Sequence, residues 1–213
     1  MELAPLNIPE QRPLQDGGHA FPLALTPSKV PEGTSPASAL AAWCGRNAGK
    51  LRGWASEHGA VLLRGCNVLG AQDLAKVTCA LGCEAYAYLG GAAPRTELVP
   101  GIVFTSNESP PDQPIPFHHE LAQAPTPPAY LLFHCEKASA VGGATPIIPS
   151  AEVAAFFEGK FPEFAGRVAE LGVRYIRVMP EVTDCTSALG RSWKETYNVS
   201  TREEAEEAML RQG

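Results

Sequence analysis

Two histidines and a carboxylate fall in three adjacent positions, His118, His119 and Glu120, at the head of the stretch 116–150, PFHHELAQAPTPPAYLLFHCEKASAVGGATPIIPS. If 117–121 is extended, alternate side chains point to opposite faces. His118 and Glu120 then look one way and His119 the other. An imidazole and a carboxylate on one face are two of the three ligands of the 2-His-1-carboxylate triad, which holds ferrous iron and leaves positions open for substrate and oxygen. By itself a His-x-Glu is more often a partly exposed polar strand edge than a metal site.

The elements that must position this pair can be read on either side of it. Downstream, 125–128 (PTPP) is a connector that cannot join a ladder, and 129–137 is a strong strand on which Tyr130, Leu132 and His134 share a face. His134 is either a packed core imidazole or a replacement ligand, and the packed reading is preferred. His119 is read as structural or as a support behind the metal ligands. Gly142 and Gly143 form a turn. Upstream, 99–106 is a strand entering the loop 107–113, whose Pro110, Pro111 and Asp112 prevent regular pairing. Asn107 and Glu108 there are either substrate contacts or ordinary turn formers.

With these flanks the sequence resembles a known family, the Fe(II)/2-oxoglutarate dioxygenases of the TauD/TfdA type, in their clavaminate synthase-like branch. The resemblance covers about 35–199 and is densest in NESPPDQPIPFHHELAQ, YLLFHCEKASAVGGATPI, GVRYIRV and GRSWKETY. It implies His118 and Glu120 as catalytic iron ligands. It also implies Thr145, in the Gly-Gly-x-Thr run, as a cofactor-binding contact that holds the distal carboxylate of the co-substrate 2-oxoglutarate. The small-molecule substrate would be oxidised with molecular oxygen. The family completes its triad with a distal histidine followed by an arginine that pairs with the 2-oxoglutarate carboxylate. No histidine follows His134 here, so the expectation is the front part of a dioxygenase, incomplete at its C-terminal side and weak or inactive in isolation. Two other readings stand beside it: a non-catalytic dioxygenase-like protein acting through binding, and a metal-dependent hydrolase on a similar barrel, which would leave 142–145 without a role.

The expected fold is mainly β with flanking helices (α+β): a double-stranded β-helix, or jelly roll, with helices before it. Within it, 1–34 is an irregular Pro- and Gly-rich segment with one short strand at 21–25, and 35–213 is the partial dioxygenase domain. Ser35-Pro36 starts a helix whose stripe Leu40, Trp43, Leu51 and Trp54 runs to Glu57, interrupted near Gly45 and Gly49. His58-Gly59 closes it, and 60–63 is a buried strand. Further helices are expected at 71–81, 151–157, 164–171 and 201–212, the last capped by Thr201, with a strand at 173–179.

Composition bounds the function. A chain of 213 residues with 45% hydrophobic and 19% charged residues can bury one ordinary core. A net charge of -6 with no basic cluster argues against nucleic acid and anionic membrane as partners. The six cysteines are too scattered for a disulfide framework and are read as reduced thiols, with Cys79 and Cys83 as core packing. Neither a signal peptide nor an apolar run of membrane-spanning length is evident, so a cytoplasmic protein is expected.

Overall fold

The structure is a computed structural model; it describes residues 1–15, 17–86, 91, 93, 95–106, 108, 112–187 and 190–212. It divides into two compact units, Met1–Glu84 with His134–Gly142, and Ala85–Phe133 with Gly143–Gly213.

In the first unit, β1 (Glu2–Pro5) pairs antiparallel with β4 (Leu23–Lys29), and β4 pairs parallel with β5 (Val61–Leu63). A two-residue pair, β2 (Arg12–Pro13) with β3 (Ala20–Phe21), lies between β1 and β4 in the chain. Among their described residues, 1–34 thus hold four short strand segments, where a single strand at 21–25 was expected. Their alternation is hidden by prolines, yet Pro5 and Pro27 sit in the β1–β4 ladder: Pro5 on the edge strand β1, and Pro27 in the central strand β4 but past the three residues that pair with β5.

The parallel β4–β5 pair needs a crossover, and α1 (Pro36–His58) supplies it. The Ser35 hydroxyl accepts from the Ser38 N–H at 3.2 Å, and Pro36 occupies the first turn, where no N–H is needed. The helix runs through Gly45. A Cβ there would lie 3.3 Å from the Ala80 carbonyl, so glycine lets α2 (Gly70–Ala80) pack closely. The break comes instead at Asn47 (φ -121°), whose side chain donates to the Trp43 carbonyl at 2.8 Å. Gly59 ends the helix at φ 72°, and a Cβ there would meet the Phe21 ring at 3.1 Å. Leu40, Trp43 and Cys44 of α1 pack on Cys66 and on Val77 of α2 to form the core, flanked by Leu3, Leu51 and Leu63. Trp54 stacks on Trp43 with ring centroids 6.3 Å apart. The buried cysteines are Cys44 and Cys66, whereas Cys79 and Cys83 are exposed, so the core-packing role expected of the latter pair belongs to the former.

Among its described residues the second unit holds a small antiparallel pair, β6 (Glu97–Val99) with β7 (Val103–Phe104), and four helices: α3 (Ser150–Lys160), α4 (Pro162–Leu171), α5 (Trp193–Tyr197) and α6 (Arg202–Gln212). In α6 the Thr201 hydroxyl accepts from the Glu204 N–H, and the Glu204 carboxylate accepts in return from the Ser200 and Thr201 N–H groups, a reciprocal cap. The short α5 was not expected. Its Ser192 accepts from the Glu195 N–H, and Ser192 and Thr196 are buried, but five residues are too few to show a helical period.

The mainly β expectation is not met: helical residues outnumber strand residues, and among the described residues the sheets have two or three strands and none closes into a barrel. The strands expected at 117–121, 129–137 and 173–179 join no ladder among the described residues. Their apolar alternation is real, but a strand exists only where a neighbour satisfies its backbone N–H and C=O groups. Among the described residues no helix is long and apolar enough to cross a membrane.

Candidate functional site

The candidate residues His118, Glu120 and Thr145 all lie in the second unit. The chain from 114 to 119 is unpaired and enters a tight turn at Glu120, in which the Ala122 N–H donates to the His119 carbonyl and the Ala124 N–H to that of Leu121. Leu121 takes φ 55° and is buried, so the turn is anchored by the side chain next to the carboxylate.

On this turn His118 Nε2 lies 3.9 Å from Glu120 Oε2. The Nδ1 of His118 is 2.8 Å from the Pro116 carbonyl. A carbonyl can only accept, so Nδ1 carries a proton, and Nε2 is the ring nitrogen nearer the carboxylate. The other oxygen, Glu120 Oε1, accepts from Arg95 Nη2 at 3.1 Å, and both side chains of that pair are only 16% exposed. Arg95 also donates to the Thr105 carbonyl at 3.2 Å, just after β7. His119 points elsewhere, to the Ser150 hydroxyl at the start of α3.

Thr145 is exposed on an unpaired segment after Gly142 and Gly143, both of which have positive φ (67° and 73°), a backbone region open to glycine. Its hydroxyl is not linked by hydrogen bond to His118 or Glu120. His134 belongs to the first unit, where its Nε2–H donates to the Val68 carbonyl at 3.1 Å. Half-buried and bonded to backbone, it has a structural role there. Asn107 lies outside the described residues. Glu108 accepts from the Thr96 N–H and the Thr105 hydroxyl, both at 2.9 Å, and these bonds hold its carboxyl below the usual range. Glu108, Arg95, Arg191 and Glu195 line an open cavity of about 550 Å³, two cations facing two anions.

As a donor set, one imidazole nitrogen and one carboxylate oxygen on adjacent faces of a turn suit a divalent cation of the ferrous type. Among the described residues no group of three His, Cys, Asp or Glu side chains gathers, so these two are all the protein donors at this point. Sequence reasoning did not find Arg95. It stands alone in a Gly- and Pro-rich loop, and nothing in its neighbours signals a partner 25 residues away.

The comparisons with known proteins place the chain. Residues 23–210 match the model of the taurine catabolism dioxygenase TauD, TfdA family, and the chain belongs to that family. It is 48% identical over 151 residues to a clavaminate synthase-like protein of Arabidopsis thaliana, a match that covers 71% of this chain and 46% of the relative. It is 28% identical over 151 residues to a dapdiamide synthesis protein of Enterobacter agglomerans, covering 71% of this chain and 43% of that protein. The matched residues thus span less than half of either relative.

Proposed function

We propose that this chain carries the first part of an iron and 2-oxoglutarate site, with His118 and Glu120 as the metal ligands and Thr145 as a contact for the distal carboxylate of 2-oxoglutarate. The observation that carries the reading is the approach of His118 Nε2 and Glu120 Oε2 to 3.9 Å, in a chain of this family, with the opposite ring nitrogen tied back to backbone. When bound, ferrous iron and 2-oxoglutarate supply, with molecular oxygen, the family's chemistry of oxidative decarboxylation coupled to hydroxylation of a small organic substrate.

The chain's own residues bind and orient. The bond from His118 Nδ1 to the Pro116 carbonyl leaves Nε2 as the ring nitrogen available to a metal. Arg95 holds the Glu120 carboxylate, and the buried Leu121 anchors the turn that carries it. The cavity beside Arg95 is where we place the small-molecule substrate, with Glu108 held as an anion at its wall.

A second reading is a dioxygenase-like protein that binds without turning over. It is favoured by the two-donor set among the described residues. One experiment separates them. Protein mixed anaerobically with Fe(II) and 2-oxoglutarate should develop the visible charge-transfer band of the chelated oxo-acid, and succinate should appear on admitting air. His118→Ala and Glu120→Ala should abolish the band while His119→Ala keeps it. Wild-type protein with neither band nor succinate would leave only the binding reading.

A further inference from the structure

Resting on that metal reading, we infer that Arg95 is a positioning residue that makes Glu120 a one-oxygen ligand. A carboxylate facing a divalent cation can bind through one oxygen or close on it with both. Here the choice is already made in the metal-free chain. Arg95 Nη2 holds Oε1 at 3.1 Å, and the oxygen left over, Oε2, is the one that faces His118 Nε2 at 3.9 Å. The guanidinium is itself anchored by its bond to the Thr105 carbonyl at 3.2 Å, so it cannot follow the carboxylate toward a metal without losing that bond. With side-chain exposure of 16% on both partners, the ion pair is shielded enough to be stronger than a surface pair.

Arg95 therefore does two things with opposite effects on a cation at His118 and Glu120. Its positive charge weakens metal affinity, and its hold on Oε1 keeps a coordination position free that a chelating carboxylate would fill. In an oxidase-type site, such a position is worth more than affinity, because co-substrate and oxygen must both find room. Arg95 also lines the cavity it shares with Glu108, Arg191 and Glu195, so the cavity and the carboxylate share one cation.

Mn(II) binding, followed by electron paramagnetic resonance titration and by counting metal-bound water from pulsed measurements in deuterated water, tests this without reference to turnover. Arg95→Gln should bind Mn(II) on the order of tenfold more tightly than wild type, since a neighbouring positive charge is gone, and should show one bound water fewer. Arg95→Lys, which keeps the cation and a single donor, should retain the wild-type water count with affinity close to wild type. It also serves if the Gln variant does not fold. Equal water counts in wild type and Arg95→Gln, or weaker binding in the Gln variant, would overturn the inference while leaving the metal reading intact. Wild-type protein that takes up no Mn(II), or whose binding survives His118→Ala, would sink the metal reading and this inference with it.

Discussion

The two units of this chain solve the same problem differently. The first buries the Leu40, Trp43, Cys44, Cys66 and Val77 cluster, with Phe21, Ala24 and Leu25 also inaccessible, under a sheet whose crossover helix has both ends capped. The second places its chemistry-bearing residues on unpaired chain. Most of the exposed large apolar residues belong to it, Ile176 and Val178 being 86% and 92% exposed, and its buried set among the described residues is small: Val103, Leu121, Ser192, Thr196 and Ala205 are its members with large or polar side chains or helix contacts. Burial of apolar area is the main favourable term in folding, so the first unit holds its own structure and the second holds groups whose apolar stretches are unspent. The comparison teaches that the candidate site is stabilised by polar means, a turn, an ion pair and a few hydrogen bonds, rather than by a core.

The sharpest way to break that contrast is truncation on both sides. Trp43→Ala should cost about 3–5 kcal/mol of stability through lost transfer energy and the cavity left behind, whereas Ile176→Ala, already in water, should change stability by less than about 0.5 kcal/mol. Urea titrations followed by circular dichroism would show it; equal costs would mean the exposed runs are covered in solution. Next in size, Gly59→Ala forces a positive-φ position onto an L side chain and drives its Cβ against Phe21, a loss of about 1–2 kcal/mol in the same assay. Removing the cap with Ser35→Ala should cost about 1 kcal/mol, again in the first unit.

The smallest effects are in pH, and they have opposite signs in the two units. Burial first, and then the neighbouring Cys66, push the Cys44 thiol up to about 11 from 9.0. Its folded pKa is raised, so the stability it contributes is complete below 9.0 and is lost as pH rises through about 11. Iodoacetamide at mild alkaline pH should label Cys79, Cys83, Cys135 and Cys185 and spare Cys44 and Cys66; early modification of Cys44 would mean its core opens readily. In α6, backbone N–H groups of Ser200 and Thr201 hold the Glu204 carboxyl below its ordinary value. That cap is complete above the usual carboxylate range and is lost as pH falls through the depressed value, so helical signal from this segment should fade only in acid. Fading near neutrality would break the assignment.

Much of this was legible in residues that act on their immediate neighbours. Ser35-Pro36 and Gly59 mark the ends of α1, Thr201 marks the start of α6, and the stripe from Leu40 to Trp54 picks the buried face, because a cap or a helical period is completed within a few residues. The approach of His118 to Glu120 is likewise local, though it comes from a turn at Glu120 rather than from the extended chain expected at 117–121. The strands were another matter. Residues 129–137 and 173–179 have the alternation of strands, but a ladder depends on a partner supplied from elsewhere in the chain, and alternation cannot state whether one arrives. The prolines of β1 and β4 misled in the other direction.

Local structure, then, is what the order of amino acids settles: which backbone positions need glycine, where a helix begins and where it ends. Tertiary structure alone decided that Arg95 closes on Oε1 of Glu120, that His134 bonds backbone in the first unit, and that Cys44 and Cys66 are the buried thiols. Those outcomes depend on contacts between distant residues, whose cost in chain entropy and gain in burial are summed over the whole fold rather than over any one stretch.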